Sequence, residues 1–154
     1  MRILIPAVHM RVIEAHGEST YPNEGAGFML GRAADASILS VEAVLPLENR
    51  REAEAQHDRY ELAPRDFMRA ELEAARRGLD LVGVFHSHPD HPAQPSEFDR
   101  EHALPNFSYL ITSVRGGRAA DTRAWRLRDD RTAFDEDGLE IIQDEIVTGG
   151  ESDG

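Results

Sequence analysis

Apolar residues fall in short blocks along the chain, and the blocks differ in period. LDLVGVF (Leu79 to Phe85) is apolar on both parities, which predicts a strand covered on both faces. GFMLGR (Gly27 to Arg32) and SILSVEAVLPL (Ser37 to Leu47) read as two strands joined by a small polar turn. NFSYLITSV (Asn106 to Val114), the turn RGGR and RAADTRAWRL (Arg118 to Leu127) predict a hairpin. In its second strand Trp125 and Leu127 share one face, and Arg126 and Arg128 take the other. Met1 to Ile5 predicts a short first strand.

Helical spacing marks three further segments. Pro6 at a first helical position, Val8, Val12 and Ala15 as the apolar face and Gly17 as a stop predict the first helix. Pro64 to Arg77 predicts the second. Pro64 opens it, Asp66 lies in the first turn, Arg76 and Arg77 close it and Gly78 follows. Phe67, Leu72, Ala74 and Ala75 supply its modest apolar face. Ser96 to Ala103 predicts a short third helix. Glu48 to Arg59 is charged and aperiodic, the pattern of a surface loop. The C-terminal IIQDEIV adds a candidate strand, and residues 148–154 (GGESDG with the preceding Thr148) read as a disordered tail. The pattern gives one domain over residues 1–147, an α/β sandwich around a mixed sheet.

Composition narrows the chemistry. The 154 residues contain no cysteine, so a bound metal must be held by His, Asp or Glu. The net charge of −12 repels a phosphate backbone, which argues against nucleic acid as a partner. All 17 basic residues are arginine. Without lysine the chain offers no side-chain amine as an acceptor for isopeptide attachment; the same bias fits a GC-rich genome or adaptation to high salt. The apolar run in MRILIPAVHMRV is too short for a signal peptide, and no stretch approaches a membrane helix. A cytoplasmic protein with no membrane partner is the expectation.

HSHPDHPAQPSEFD (His86 to Asp99) is where chemistry concentrates. If the strand through Phe85 continues, His86 and His88 point to the same side, with Cα atoms roughly 6.5–7 Å apart. Two imidazoles close that gap on one ion at about 2.0–2.1 Å per bond. Pro89 ends the strand. Solvated histidines at a strand end explain H-x-H equally well. Ser96 and Asp99 open a helix as S-x-x-D, the pattern of a capping box, which needs no metal. Both roles can coexist, because a helix start fixes where Asp99 points. Asp99 would then complete a His₂Asp set with one position open to water, as in catalytic zinc sites. His91, between two restricting neighbours, reads as a bystander, and His9, His16, His57 and His102 as ordinary surface histidines. Glu24 in YPNEGAGFMLG is either a turn residue or a base for that water.

Taken together, Glu24, His86-Ser87-His88-Pro89, Ser96 and Asp99 resemble the JAMM motif of the MPN-type zinc metallopeptidases, E … H-[ST]-H-x7-S-x2-D, in its prokaryotic stand-alone form. NEGAGFMLG is similar to that family's glutamate segment and LVGVFHSHP to its core strand; the likeness runs from about Tyr21 to Leu127. The resemblance implies a cytidine-deaminase-like three-layer sandwich, a mixed β-sheet flanked by helices. It implies Zn²⁺ on His86, His88 and Asp99, Glu24 as general base and acid, and Ser96 as a donor to the developing oxyanion. It also implies cleavage of an amide, peptide or isopeptide, at the C-terminus of a ubiquitin-like or sulfur-carrier protein ending in Gly-Gly. The long insertions with which family deubiquitinases grip ubiquitin chains are absent from the pattern. Two rival readings stand beside this one: a non-catalytic MPN-type interaction module, and a DNA-associated protein of similar motif.

Overall fold

A computed structural model describes residues 1–48 and 62–143. The order is β1 (Arg2–Pro6), α1 (Ala7–Thr20), β2 (Ala26–Asp35), β3 (Ile38–Leu47), α2 (Pro64–Arg76), β4 (Asp80–Pro89), α3 (Glu97–His102), β5 (Ser108–Arg115), β6 (Arg118–Leu127) and β7 (Phe134–Ile142). Every strand and helix expected within the described residues is present. Most of the loop expected over Glu48 to Arg59, the end of IIQDEIV and the terminal tail lie outside the described residues.

The sheet runs β1-β3-β2-β4-β5-β6-β7 and closes, because β1 also pairs with β7. β1 is parallel to both its neighbours, β4 is parallel to β5, and the remaining pairs are antiparallel. A mixed α/β architecture is thus observed, but the sheet is not an open layer between helices. The closing contact joins Arg2 to Gly138 and Pro6 to Ile142, opposite ends of the described chain. Periodicity identifies strands and is silent about which distant strands meet.

The alternation of side chains along the strands divides the core. Ile3, Ile5, Met29, Val41, Phe85, Leu110 and Ala124 turn to one face, where Met10 and Ile13 of α1 meet them. Phe28, Val84, Tyr109 and Leu127 turn to the other, beneath Phe67 and Ala70 of α2 and Ala103 at the end of α3. Phe28 and Phe67 meet edge to face with ring centres 5.0 Å apart. Burial on both faces explains why β2 and β4 carry nearly unbroken apolar runs. Gly83 lets β4 approach β5 closely: a Cβ there would lie 2.1 Å from the Ser108 carbonyl oxygen.

The helices correct two apolar faces. In α1 the buried residues are Ala7, Met10, Ile13 and Gly17, while Val8, Val12 and Ala15 face outward. Gly17 is no stop; α1 continues to Thr20, and the missing side chain lets the helix sit against Ser87 and Val114. In α2 the buried positions include Ala70 and Ala74, whereas Leu72 is exposed. The Asp66 carboxylate caps α2 by accepting the Ala63 N–H at 2.9 Å. Gly78 ends it at φ +71°. Among the described residues no helix is long and apolar enough to cross a membrane.

The α1 correction has a direct test. Ile13→Ala should lower unfolding stability by about 2–5 kcal/mol, and Val12→Ala by less than about 1 kcal/mol. Chemical denaturation of both variants checks this, and equal losses would restore the face expected from spacing.

Candidate active site

β4 runs through both histidines before Pro89 ends it, so His86 and His88 emerge on one face with ring centres 5.0 Å apart. That face is the one on which α2 and α3 lie. α3 brings the third group. Ser96 is its N-cap, with Oγ accepting the Asp99 N–H at 3.1 Å, while the Asp99 carboxylate accepts the Ser96 N–H at 2.8 Å. The capping box is therefore real, and it aims Asp99 at the histidines. Asp99 Oδ2 lies 3.1 Å from His88 Nε2, and Oδ1 lies 3.6 Å from His86 Nε2. One donor atom from each of the three residues falls within 4.8 Å of the others. All three side chains, and Glu24, belong to residues no more than 6% exposed.

The loop between β4 and α3 is held at nearly every residue. Asp90, at φ +59°, donates its N–H to Val114 and accepts from the Tyr21 hydroxyl at 2.5 Å and the Gly116 N–H at 2.8 Å. The His91 carbonyl accepts from Ser113 Oγ at 2.6 Å, and the Ala93 carbonyl accepts from the Trp125 indole at 2.9 Å. The Pro92 carbonyl lies 2.9 Å from His88 Nδ1.

That last contact tests whether a metal fits. A carbonyl can only accept, so Nδ1 of His88 carries the hydrogen and the neutral ring presents a lone pair at Nε2. This lone pair faces a carboxylate oxygen at 3.1 Å, and two acceptors repel unless positive charge lies between them. A second proton or a shared cation satisfies the geometry. Two imidazoles and one carboxylate are the donor set of a hard-to-borderline divalent ion such as zinc.

Electrostatics favour ligand-ready forms. Burial pushes the His86 imidazole down to about 4, with Asp99 opposing the fall and His88 adding to it, so the ring is neutral at neutral pH. Burial alone would raise the Asp99 carboxyl. The His86 and His88 rings and the Ser96 N–H outweigh it and hold Asp99 well below the usual carboxylate range.

Glu24 arrives from the segment before β2. Gly25 is tied to Ser87 on β4, and Tyr21 to Asp90, which carries the Glu24 segment to the mouth of the site. Glu24, His88 and Ser96 line one cleft of about 320 Å³ together with His91, Gln94 and Pro95. A second depression of about 360 Å³ shares Gln94, Pro95 and Ser96 with it and extends toward Trp125, Phe134 and Arg100.

All five expected site residues thus gather in one region. The histidines set aside fare differently. His91, taken as a bystander, lines the cleft, a position that its local sequence did not reveal. His16, taken as a surface residue, is half buried edge-on to Phe85 with ring centres 6.0 Å apart, and burial lowers its pKa. Its place on the buried side of α1, three residues after Ile13, was the available signal. His57 lies outside the described residues.

Comparisons with known proteins identify similar chains. A Thermus thermophilus protein described as a probable TtuB-protein conjugate cleaving protease is 32% identical over 117 residues, 76% of this chain and 74% of that protein. The desampylase of Haloferax volcanii is 35% identical over 100 residues, 64% and 68% of the respective chains. A solution structure from Desulfitobacterium hafniense superposes with a TM-score of 0.77 at 29% identity and covers 94% of both chains. Residues 6–128 match the family described as prokaryotic homologs of the JAB domain, and the chain belongs to that family.

Proposed function

We propose that the protein is a zinc-dependent peptidase or isopeptidase that hydrolyses an amide bond at the C-terminus of a ubiquitin-like or sulfur-carrier protein. One observation carries this reading: three buried ligand groups converge beside a cleft that Glu24 and Ser96 also line. The names of the Thermus relative, a probable TtuB-protein conjugate cleaving protease, and of the Haloferax relative, a desampylase, support the substrate class.

His86, His88 and Asp99 hold the ion in this reading. Zinc, when bound, supplies Lewis acidity that polarises the scissile carbonyl and makes an attacking water far more acidic. Glu24 takes that water's proton and returns it to the leaving amine. Glu24 is nearly buried, at the edge of the cleft that it lines with His88 and Ser96. Ser96 Oγ uses a lone pair on the Asp99 N–H, which leaves its own hydrogen to donate to the oxyanion of the tetrahedral intermediate. The cap that fixes Asp99 thereby also orients Ser96.

The cleft receives an extended tail in this reading. A chain ending in two glycines passes Gln94, Pro95 and Ser96, which line both depressions, without a side chain to clash there. The group beyond the scissile bond enters the depression beside Trp125 and Phe134. The chain itself contains no lysine, so its own side chains cannot become isopeptide substrates.

Three outcomes test the proposal. Glu24→Gln should retain one zinc per chain and lose turnover by about 10²-fold or more; a variant with wild-type turnover removes Glu24 from the mechanism. His88→Ala should lose the metal in elemental analysis, and full occupancy would break the ligand assignment. Zinc-loaded protein mixed with ubiquitin-like proteins of its own organism, bearing C-terminal extensions or isopeptide-linked partners, should cut after Gly-Gly by mass spectrometry. Intact substrates throughout would remove the substrate class.

A further inference from the structure

We propose that Ser87, the residue between the two histidines, is a positioning residue that sets the direction of Glu24. The inference rests on the reading of Glu24 as the base. Alternation along β4 turns Ser87 to the face opposite His86 and His88, so it cannot join them on a metal. Instead it meets the segment that carries Glu24. Ser87 Oγ accepts the Gly25 N–H at 2.9 Å, and the Ser87 N–H donates to the Gly25 carbonyl at 2.9 Å. Residues facing each other in an antiparallel ladder exchange two main-chain bonds. Here a side-chain hydroxyl takes the place of one carbonyl.

The bonded hydrogen belongs to the peptide unit that joins Glu24 to Gly25. Fixing that plane fixes the ψ angle of Glu24, one of the two soft dihedrals that decide where its side chain leaves the backbone. The opposite side of Gly25 is closed by α1: a Cβ on Gly25 would lie 2.6 Å from Thr20 Oγ1 and 3.1 Å from the His16 ring. Gly25 is gripped between helix and strand, with no room for a side chain of its own. Ser87 is itself fixed. It is 3% exposed, and α1 reaches it through Gly17, where a Cβ would stand 3.1 Å from the Ser87 Cβ. The Ser87 hydroxyl is therefore the side-chain link between the metal-bearing strand and the base-bearing segment, beside the main-chain bond from the Ser87 N–H to the Gly25 carbonyl. Alanine at this position keeps the strand and both histidines but removes the acceptor from a buried N–H.

The test compares Ser87→Ala and Ser87→Thr in zinc content, steady-state kinetics on a cleavable Gly-Gly extension, and Gly25 amide hydrogen exchange. Ser87→Ala should hold one zinc per chain with KM within about twofold of wild type. Its kcat should fall about tenfold or more, since small misplacements of a reacting group cost up to about 10²-fold. Its Gly25 amide should exchange faster, and Ser87→Thr, which keeps a hydroxyl, should restore both. A Ser87→Ala enzyme with wild-type kcat overturns the inference. So does loss of zinc together with activity, or a threonine variant no better than the alanine one. If the alanine variant does not fold, the wild-type protein decides: a Gly25 amide protected like those of β4 sustains the clamp, and one exchanging at open-loop rates overturns it. A zinc-loaded wild type that cleaves no amide would instead end the reading of Glu24 as base, whatever the exchange data show.

Discussion

Three electron-rich side chains sit together away from water, and the rest of the structure is arranged around that fact. One ligand atom each from His86, His88 and Asp99 converges within 4.8 Å, and all three residues are buried. Burial favours neutral imidazole at His86, and the Ser96 N–H adds to the two rings in favouring the charged form of Asp99. Such a set is uncomfortable by itself and well satisfied by one divalent cation. Holding it requires rigid supports, and each ligand has one: β4 in the middle of the sheet for the histidines, and a capped helix start for Asp99.

The alternation of β4 assigns three successive residues to different work. His86 and His88 face α3, and Ser87 faces α1 and Gly25. Phe85, on the same side as Ser87, belongs to the core beneath α1, and Val84 to the core beneath α2. A strand buried on both faces is what makes this division dependable, because a slip of one residue would exchange ligand and packing positions. The parallel register with β5, His86 opposite Ile111 and His88 opposite Ser113, continues to the strand end and resists such a slip.

Much of this was legible in the chain because the signals are local. H-x-H at a strand end and S-x-x-D at a helix start need only their own neighbours, and both formed as their spacing predicts. The coarse class, a mixed α/β fold, followed from period, while the open sandwich expected with it did not. What sequence could not deliver was long-range. Gly25, next to Glu24, and Ser87 stand 62 positions apart and meet through two hydrogen bonds that no local pattern encodes; only the likeness to a known motif joined Glu24 to the histidines. Closure of the sheet depends on β1 meeting β7, and strand periodicity names no partners. The face of α1 was misread for a related reason. Valine at positions 8 and 12 is apolar, but the buried stripe is set by where small residues permit contact, and Gly17 marks that stripe as a packing site instead of a terminus.

The seven residues between His88 and Ser96 have a mechanical explanation of the same kind. They must leave a strand, reverse, and deliver a helix start whose third residue points back at the strand just left. Pro89 ends the ladder, and Asp90 makes the turn in the left-handed region, held by Tyr21 and Gly116. Ser113 and Trp125 then take the carbonyls of His91 and Ala93 from below, and His88 itself takes that of Pro92. Pro95, immediately before the cap, fixes its own φ, and Ser96 begins the helix from an extended conformation. A longer loop would lose these anchors one by one, and a shorter one would pull Asp99 out of line with the two rings. The spacing is thus the length of chain needed to carry a carboxylate from β4 around to face it. The loop that does so also forms the wall of the cleft beside Glu24, which is why ligand geometry and substrate access depend on the same few hydrogen bonds.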